Sequence, residues 1–367
     1  MPIAGWKSGL QDDHEFTFVN LIHICLTKGQ GHRYLPLGFR GAMATVNHLS
    51  DERLEMLAQI AELYFIRGLN QAQIAERTSY SRSMISRLLT EARDQGVVEI
   101  RIHHPLRRST TLEHALQSRF DLAHVRVMED YGLSEADALR KVGTLAANLL
   151  ADLVRDNMTL GVSWGSALLA VTDALRPQPR SQVHVVQMIG SLGTRMPELD
   201  GADLARRIAR AFNATYATLP APLLTSDEQT RDGLMRDERI REVFAQIRRA
   251  QLALVGIGSV DPEHSALVRA GFLKPRQSLE MQRHAGAVGD VCAIPFDAQG
   301  RVLSLPISKR VMSVDASMLM RIPVRLGVAC GQAKTLPVLG ALRSGLVNAL
   351  VTDEATAAAV LRLADSA

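Results

Sequence analysis

Apolar and polar positions first fall into order at Ser50. Leu54, Leu57, Ile60, Ala61 and Tyr64 recur at helical spacing, and Gly68 closes the segment. Ser50 is a good N-cap, and Asp51 and Glu52 suit the positive end of the helix dipole. Two shorter amphipathic patterns follow, over about 71–77 and 81–94, separated by a three-residue break and stopped by Gly96. The β-branched run VVEIRI (97–102) is the right size for one strand of a small wing, and HHPLRRST (103–110) reads as a linker. Beyond a helical stretch from Thr111 the pattern changes. Short valine-rich runs at 124–128, 159–164, 183–190, 252–258, 324–331 and 348–352 alternate with helical patterns at 137–154, 202–212, 238–250, 333–344 and 354–364. Strands apolar on both faces, alternating with helices, predict a largely parallel, Rossmann-like sheet covered on both sides. FDAQGRVLSLP (296–306) reads as an added hairpin.

The chain is therefore expected to be α/β, in three parts: an N-terminal extension (1–50), a winged helix-turn-helix domain (51–104) and a larger, largely parallel α/β domain (105–367). Residues 1–42 show no sustained period and several breakers, so the extension is expected to be poorly ordered, with Met43 as a candidate native start. A length of 367 residues accommodates more than one core, and 47% hydrophobic with 22% charged residues is a globular composition. The net charge of +4 permits anionic partners without demanding them. Cys25, Cys292 and Cys330 are odd in number and far apart, which argues against a zinc site or disulfide framework and fits a reducing cytoplasm. No apolar run approaches the roughly 18 residues of a membrane span. Asp12, Asp13 and Glu15 stand before FTFVNLIHICL where a signal peptide would be positive. A cytoplasmic protein with no metal and no membrane partner is expected.

The segment 71–94 has the logic of a DNA reader. Ala75 is small where two helices would cross, and Ile74, Ile85 and Leu88 would fill the core between them. The front of the third helix is left polar, and in a helix-turn-helix that part enters the major groove. Ser81, Arg82, Ser83, Met84, Ser86 and Arg87, with Gln71 at the start of the preceding helix, are the candidate DNA contacts. The arginines suit phosphates or guanine edges, and the serines suit either. At the turn, Ser79 stands where glycine is usual. That position is expected to take a positive φ, which a non-glycine residue adopts at a cost of about 1 kcal/mol.

In the larger part, strand ends run into glycine turns at 161–171, 188–194 and 255–262. In parallel sheets ligands bind outside the carboxyl ends of strands, where glycine lets backbone N–H groups approach an anion beside a helix N-terminus. Gly165 and Ser166, Gly190 and Ser191, and Lys334 after another strand are candidates for holding a small anionic metabolite. Neither a Walker A pattern nor Gly-x-Gly-x-x-Gly occurs, so ATP and NAD are poor guesses and no cofactor is expected. Asp261 and Asp290 would accept hydrogen bonds from sugar hydroxyls. In an enzyme either would be a general base near His264 or His284, and Asp261 is equally a turn-forming aspartate.

Taken together, NQAQIAERTSYSRSMISRLLTEARDQGVVEI, LGVSWGSALLAV, VVQMIGSLGT, ALVGIGSVDP, LVRAGFL, GAVGDVC, IPVRLGVACG and GLVNALVTDEATA resemble SorC-type sugar-binding transcriptional regulators, in order, over about 51–365. The resemblance implies a DNA-binding head joined to an effector domain with the fold of glucosamine-phosphate deaminases and ribose-phosphate isomerases. It implies operator DNA as partner, a sugar or sugar phosphate as effector, and a homo-dimer or homo-tetramer. Carried onto this chain, the phosphate-binding turn falls on Gly165 and Ser166 and the second pocket loop on Gly190 and Ser191. The acid that meets sugar hydroxyls falls on Asp290 and the strand-end lysine on Lys334. Ala167 stands where a second hydroxyl is frequent, Cys330 where a glycine is frequent, and Ser79–Tyr80 replace the turn glycine and a small apolar residue. A sugar-phosphate isomerase or deaminase with an appended head is the rival reading, with Asp261, Asp290 and His264 as its catalytic candidates. The other rival is a scaffold whose head binds protein.

Overall fold

The computed structural model describes residues 51–98, 106–129, 132–193 and 196–365. The expected extension and most of the expected wing strand lie outside these residues. The chain divides between Pro105 and Leu106 into two compact units.

In the first unit, α1 (Asp51–Ala61) runs on as a wider π-turn to Ile66. α2 (Gln71–Arg77) starts on a reciprocal cap in which Gln73 N donates to Asn70 Oδ1 (2.9 Å) and Asn70 N to Gln73 Oε1 (3.0 Å). α3 (Arg82–Asp94) is capped by Ser81, whose hydroxyl accepts from Met84 N (3.3 Å). Leu57, Ile60, Ile74, Ile85, Leu88, Leu89, Ala92 and Val98 form the core. Arg53 of α1 holds Glu91 of α3 through a forked ion pair (3.0 and 2.5 Å).

The turn between α2 and α3 corrects one expectation. Ser79 is not among the residues with positive φ. Thr78 leaves α2 in extended backbone (φ −128°, ψ 169°); its hydroxyl donates to Ile74 O (2.9 Å) and faces Tyr80 N at 3.4 Å. An extended exit suits any residue, so the strain expected at Ser79 does not arise. Tyr80 in turn donates its hydroxyl to Met56 Sδ of α1 (2.9 Å), which gives the larger side chain a use.

The second unit runs α4 (Thr110–Phe120), β1 (His124–Met128), α5 (Glu135–Leu153), β2 (Thr159–Val162), α6 (Ser166–Ala174), β3 (His184–Gln187), α7 (Gly201–Phe212), β4 (Thr215–Ala217), α8 (Glu228–Leu234) and α9 (Glu238–Ile247). It continues β5 (Leu252–Gly256), β6 (Gly258–Ser259), α10 (Ala266–Arg269), α11 (Pro275–Ala285), β7 (Ala287–Val291), β8 (Ile294–Asp297), α12 (Ala316–Met320), β9 (Val324–Val328), α13 (Thr335–Arg343), β10 (Ala349–Asp353) and α14 (Glu354–Asp365). Seven of these strands form one sheet in the order β1-β10-β9-β5-β2-β3-β4, every pairing parallel. Each strand feeds two cores by alternation. Leu252 and Leu254 of β5 face one layer, with Leu160, Val162, Leu326 and Leu204; Ala253 and Val255 face the other, with Val125, Val127, Leu339 and Val360. This is why the strands read as continuous apolar runs.

The hairpin expected at 296–306 forms in short: Phe296 and Val302 are bridged antiparallel, with Asp297 N donating to Arg301 O (3.1 Å) and Leu303 N to Pro295 O (2.8 Å). It extends a small antiparallel sheet of β6, β7 and β8, whose β7–β8 turn is Cys292–Ala293. The Asp297 carboxylate gathers Gln299 N, Arg301 N and Arg301 Nε (3.0, 2.9 and 2.6 Å) and closes the hairpin's turn.

Chain order places the functional edge of the sheet. From β2 the chain steps outward through β3 and β4, then returns to β5 on β2's other flank. That reversal makes the carboxyl ends of β2 and β5 the switch point of the sheet, the place beside which ligands of open parallel sheets bind.

Candidate functional site

On the first unit, Arg82, Ser83, Ser86 and Arg87 are exposed on α3. Arg82 and Ser86, like Ser83 and Arg87, are four apart and share one face. Among the described residues no ion pair engages Arg82 or Arg87. The other candidates divide by role. Ser81 caps α3 and shares a 3.0 Å hydrogen bond with Ser83 Oγ. Met84 packs on the core, and Gln71 is half-buried in the first turn of α2. The acidic residues of α3, Glu91 and Asp94, stand toward its carboxyl end, so the front of the helix is the cationic part.

Four strand ends carry the second site. β9, β5, β2 and β3 are consecutive in the sheet, so with about 4.8 Å between strands their exit loops span about 14 Å. After β2, Gly165 (φ 121°, ψ 170°) starts α6 with no side-chain cap, leaving the first-turn N–H groups of Ser166 and its neighbours facing outward. Ser166 is exposed. Trp164, almost fully buried, packs with Ile189, Leu223, Leu267, Leu273 and Ala293 in a separate apolar cluster.

After β3 the picture differs. Gly190 N donates to Met312 O (2.7 Å), and a Cβ there would overlap the Pro222 carbonyl. Ser191 donates its amide to Ala221 O (2.8 Å) and its hydroxyl to Asp200 Oδ2 (2.5 Å). The buried Asp200 carboxylate also takes Leu192 N (2.6 Å) and Ala202 N (2.8 Å). Gly190 and Ser191 thus build the loop, and their donors are already engaged. Ser191 also lines a largely apolar cleft of about 570 Å³ with Leu219, Pro222 and Phe272.

The polar centre lies at β5 and β9. Asp290 of β7 is paired with Gly258 of β6, and its carboxylate fills the space a Cβ at 258 would need. Its Oδ2 accepts from Ala293 N (3.1 Å) across the Cys292–Ala293 turn, where both residues have positive φ (53° and 58°), as a two-residue hairpin turn of this kind requires. The Cys292 thiol meets Ser163 at the end of β2, and burial pushes its pKa up to about 12, so it stays protonated. Beyond β9, Gly331 (φ 99°) opens the short turn Gln332–Lys334. Burial raises the Asp290 carboxyl above its ordinary value, opposed by the nearby Lys334 charge and the Ala293 amide. Burial lowers Lys334, opposed by Asp290 and reinforced by the positive charge of Arg269.

Of the predicted residues, then, the fold brings Asp290 and Lys334 together and adds Arg269, which sequence reasoning missed. Its only signal was a cation at the end of the apolar stretch ALVRAGF. The segment bearing it reaches both parts of the site, since Phe272, three residues on, lines the apolar cleft. Asp261 stands apart: its carboxylate accepts from Glu263 N (2.9 Å) and lies 3.7 Å from His264 Nδ1, the turn-forming alternative. Among the described residues no contact joins Asp261 or His264 to Asp290. No cluster of three or more His, Cys, Asp or Glu suited to a metal occurs among the described residues, and no helix there is long and apolar enough to cross a membrane.

The chain is similar to known proteins along most of its length. Residues 104–362 match the family model described as "Putative sugar-binding domain". The transcriptional regulator LsrR of Escherichia coli K12 is 32% identical over 310 residues, covering 84% of this chain and 95% of that protein. LsrR of Enterobacter sp. strain 638 is 34% identical over 313 residues, covering 84% and 94%. Among solved structures, the full-length sorbitol operon regulator SorC from Klebsiella pneumoniae superposes with a TM-score of 0.64 at 28% identity, covering 85% of this chain and all of that one. The structure described as "Probable sor Operon Regulator from Shigella flexneri" gives 0.64 at 27%, covering 69% and 98%.

Proposed function

The chain belongs to the family of SorC-type sugar-binding transcriptional regulators, and from that premise we propose that it binds operator DNA under the control of a sugar phosphate. One observation carries the reading: a helix-turn-helix unit with Arg82 and Arg87 exposed on α3 shares its chain with an α/β unit that gathers Asp290, Lys334 and Arg269 at the carboxyl edge of its sheet.

Each group has a task that its environment suits. Arg82, Ser83, Ser86 and Arg87 enter the major groove, with Ser81 and Gln71 beside the backbone. The phosphate of the effector is held by Lys334 and Arg269, with the uncapped first turn of α6 at Ser166 as a further donor. Asp290, fixed by Ala293 N and the missing Cβ at 258, accepts from sugar hydroxyls. The apolar cleft beside Ser191 and Phe272 takes the less polar face of the sugar. Gly190, Ser191 and Asp261 shape the surrounding loops.

The effector acts by binding one arrangement of the assembled protein better than another, and shifts the equilibrium only by that difference in affinity. A symmetric homo-oligomer in the cytoplasm, presenting two recognition helices one turn of DNA apart, reads a roughly palindromic operator. The site senses and does not turn over its ligand: Asp261 is paired with His264 away from Asp290, and the Cys292 thiol is held protonated.

Thermal denaturation with ribose 5-phosphate, glucosamine 6-phosphate and other sugar phosphates tests this. One class should raise the melting temperature of the native chain and leave Lys334→Ala unmoved. Turnover of a stabilising compound would move the assignment to the isomerase or deaminase reading.

A further inference from the structure

We propose that Asp353 is a positioning residue that ties the Lys334 turn to the segment through which the chain passes from the α/β unit to the helix-turn-helix unit. This deepens the reading above and rests on Lys334 as an effector contact.

Asp353 ends β10 and is 5% exposed. Its Oδ2 accepts from Gly331 N at 2.7 Å. Gly331 opens the Lys334 turn, which closes by Lys334 N donating to Gly331 O (2.8 Å). The same carboxylate takes Thr356 N (2.9 Å) and Thr356 Oγ1 (2.7 Å), fixing the first turn of α14. One buried carboxylate thus holds the base of the effector lysine and the start of a helix at once.

Two routes lead from Asp353 to the same place. Along the sheet, Asp353 is in register with Met128 of β1, and Met128 is bridged to Arg108. That bridge belongs to a short edge pairing in which Ser109 N donates to Val127 O (2.9 Å) and Glu129 N to Arg107 O (3.1 Å). Along the helices, α14 packs on α4, with Arg119 Nη2 donating to Ala364 O (2.8 Å). α4 carries Glu113, a buried carboxylate that accepts from Arg108 Nε (2.8 Å), Arg108 Nη2 (2.5 Å) and Val127 N (2.9 Å). Both routes end on Arg108, three residues beyond the division of the chain at Pro105.

An anion drawing on Lys334 pulls against Gly331, and Gly331 is bonded to Asp353. Because Asp353 faces Met128 directly, displacement there loads the Arg108 bridge rather than dissipating in a loop. Packed cores and hydrogen-bonded ladders pass such shifts on as discrete rearrangements.

The test is amide hydrogen exchange on the full-length protein without effector, comparing the native chain with Asp353→Asn and Thr356→Val, and with global stability measured alongside. Asp353→Asn keeps the shape but replaces one of the two acceptor oxygens by an NH2 donor, so Gly331 N and Thr356 N can no longer both be accepted. Exchange at Gly331–Lys334 and at Ser109, Val127 and Glu129 should rise together, about tenfold in Asp353→Asn and less in Thr356→Val, while β2 and β3 amides keep their native rates. Loosening at Gly331–Lys334 with native rates at Ser109, Val127 and Glu129 would overturn the proposal, as would native rates at both places. If Asp353→Asn exchanges fast throughout because it fails to fold, Thr356→Val decides by the same readings. No effector enters the experiment, so its failure is distinct from a failure of effector binding.

Discussion

The Asp290 carboxylate occupies the space beside Gly258 that any larger residue's Cβ would need, so glycine at 258 lets the acid lie against the backbone of β6. Gly258→Ala should therefore act on the acid more than on the fold, since the overlapping atom is the end of a side chain that can rotate. We expect a stability cost below about 1.5 kcal/mol and at least a tenfold loss of sugar-phosphate affinity. Calorimetry and denaturant unfolding of the same preparation separate the two effects.

Asp290 itself should stabilise the protein when neutralised. Its carboxyl is raised by burial, so the stability it contributes is complete below the ordinary carboxylate range and is lost as pH rises through the raised value. Asp290→Asn should accordingly match or exceed native stability near pH 7, lose that advantage as pH falls toward the ordinary carboxylate pKa, and bind sugar phosphate poorly throughout. Unfolding midpoints across that pH range would show it. A variant less stable at pH 7 than in acid, relative to native, would contradict the sign.

Two serines that look alike in sequence should behave oppositely. Ser191 donates to the buried Asp200, so Ser191→Ala leaves a carboxylate short of a donor and should cost about 1–3 kcal/mol. Ser166 is exposed at an uncapped helix start, so Ser166→Ala should leave stability unchanged and weaken effector binding.

Arg82→Ala and Arg87→Ala should each weaken operator binding and lower the slope of log affinity against log salt by about 1 for every DNA phosphate the arginine had neutralised. Effector-induced thermal stabilisation should be untouched in both. Disappearance of that stabilisation as well would make the arginines structural.

How much of this was legible in the chain depends on how local the cause is. The helical and strand periods located the head and most strands of the α/β unit, because alternation reflects which face is buried and needs no partner to be known. Gly165 and Lys334 were legible for the same reason, each standing where a strand run breaks into a turn. What sequence could not supply was pairing at a distance. The contact of Asp290 with Gly258, the engagement of Ser191 by Asp200 and the approach of Arg269 to Lys334 all join different loops. Ser79 misled because the usual glycine of that turn answers a left-handed backbone, and here Thr78 leaves the helix extended. The β7–β8 hairpin went unread because its Cys292–Ala293 turn carries neither glycine nor asparagine, the residues that announce such a turn.

The most direct test of the central claim is fluorescence anisotropy of the full-length protein on DNA from upstream of its own and neighbouring genes, at two salt concentrations, with and without a panel of sugars and sugar phosphates. Tight, salt-sensitive binding to one fragment, changed by one phosphorylated sugar in the native chain and not in Lys334→Ala, is the predicted result. Absence of specific binding to every fragment, with and without every compound, would contradict it.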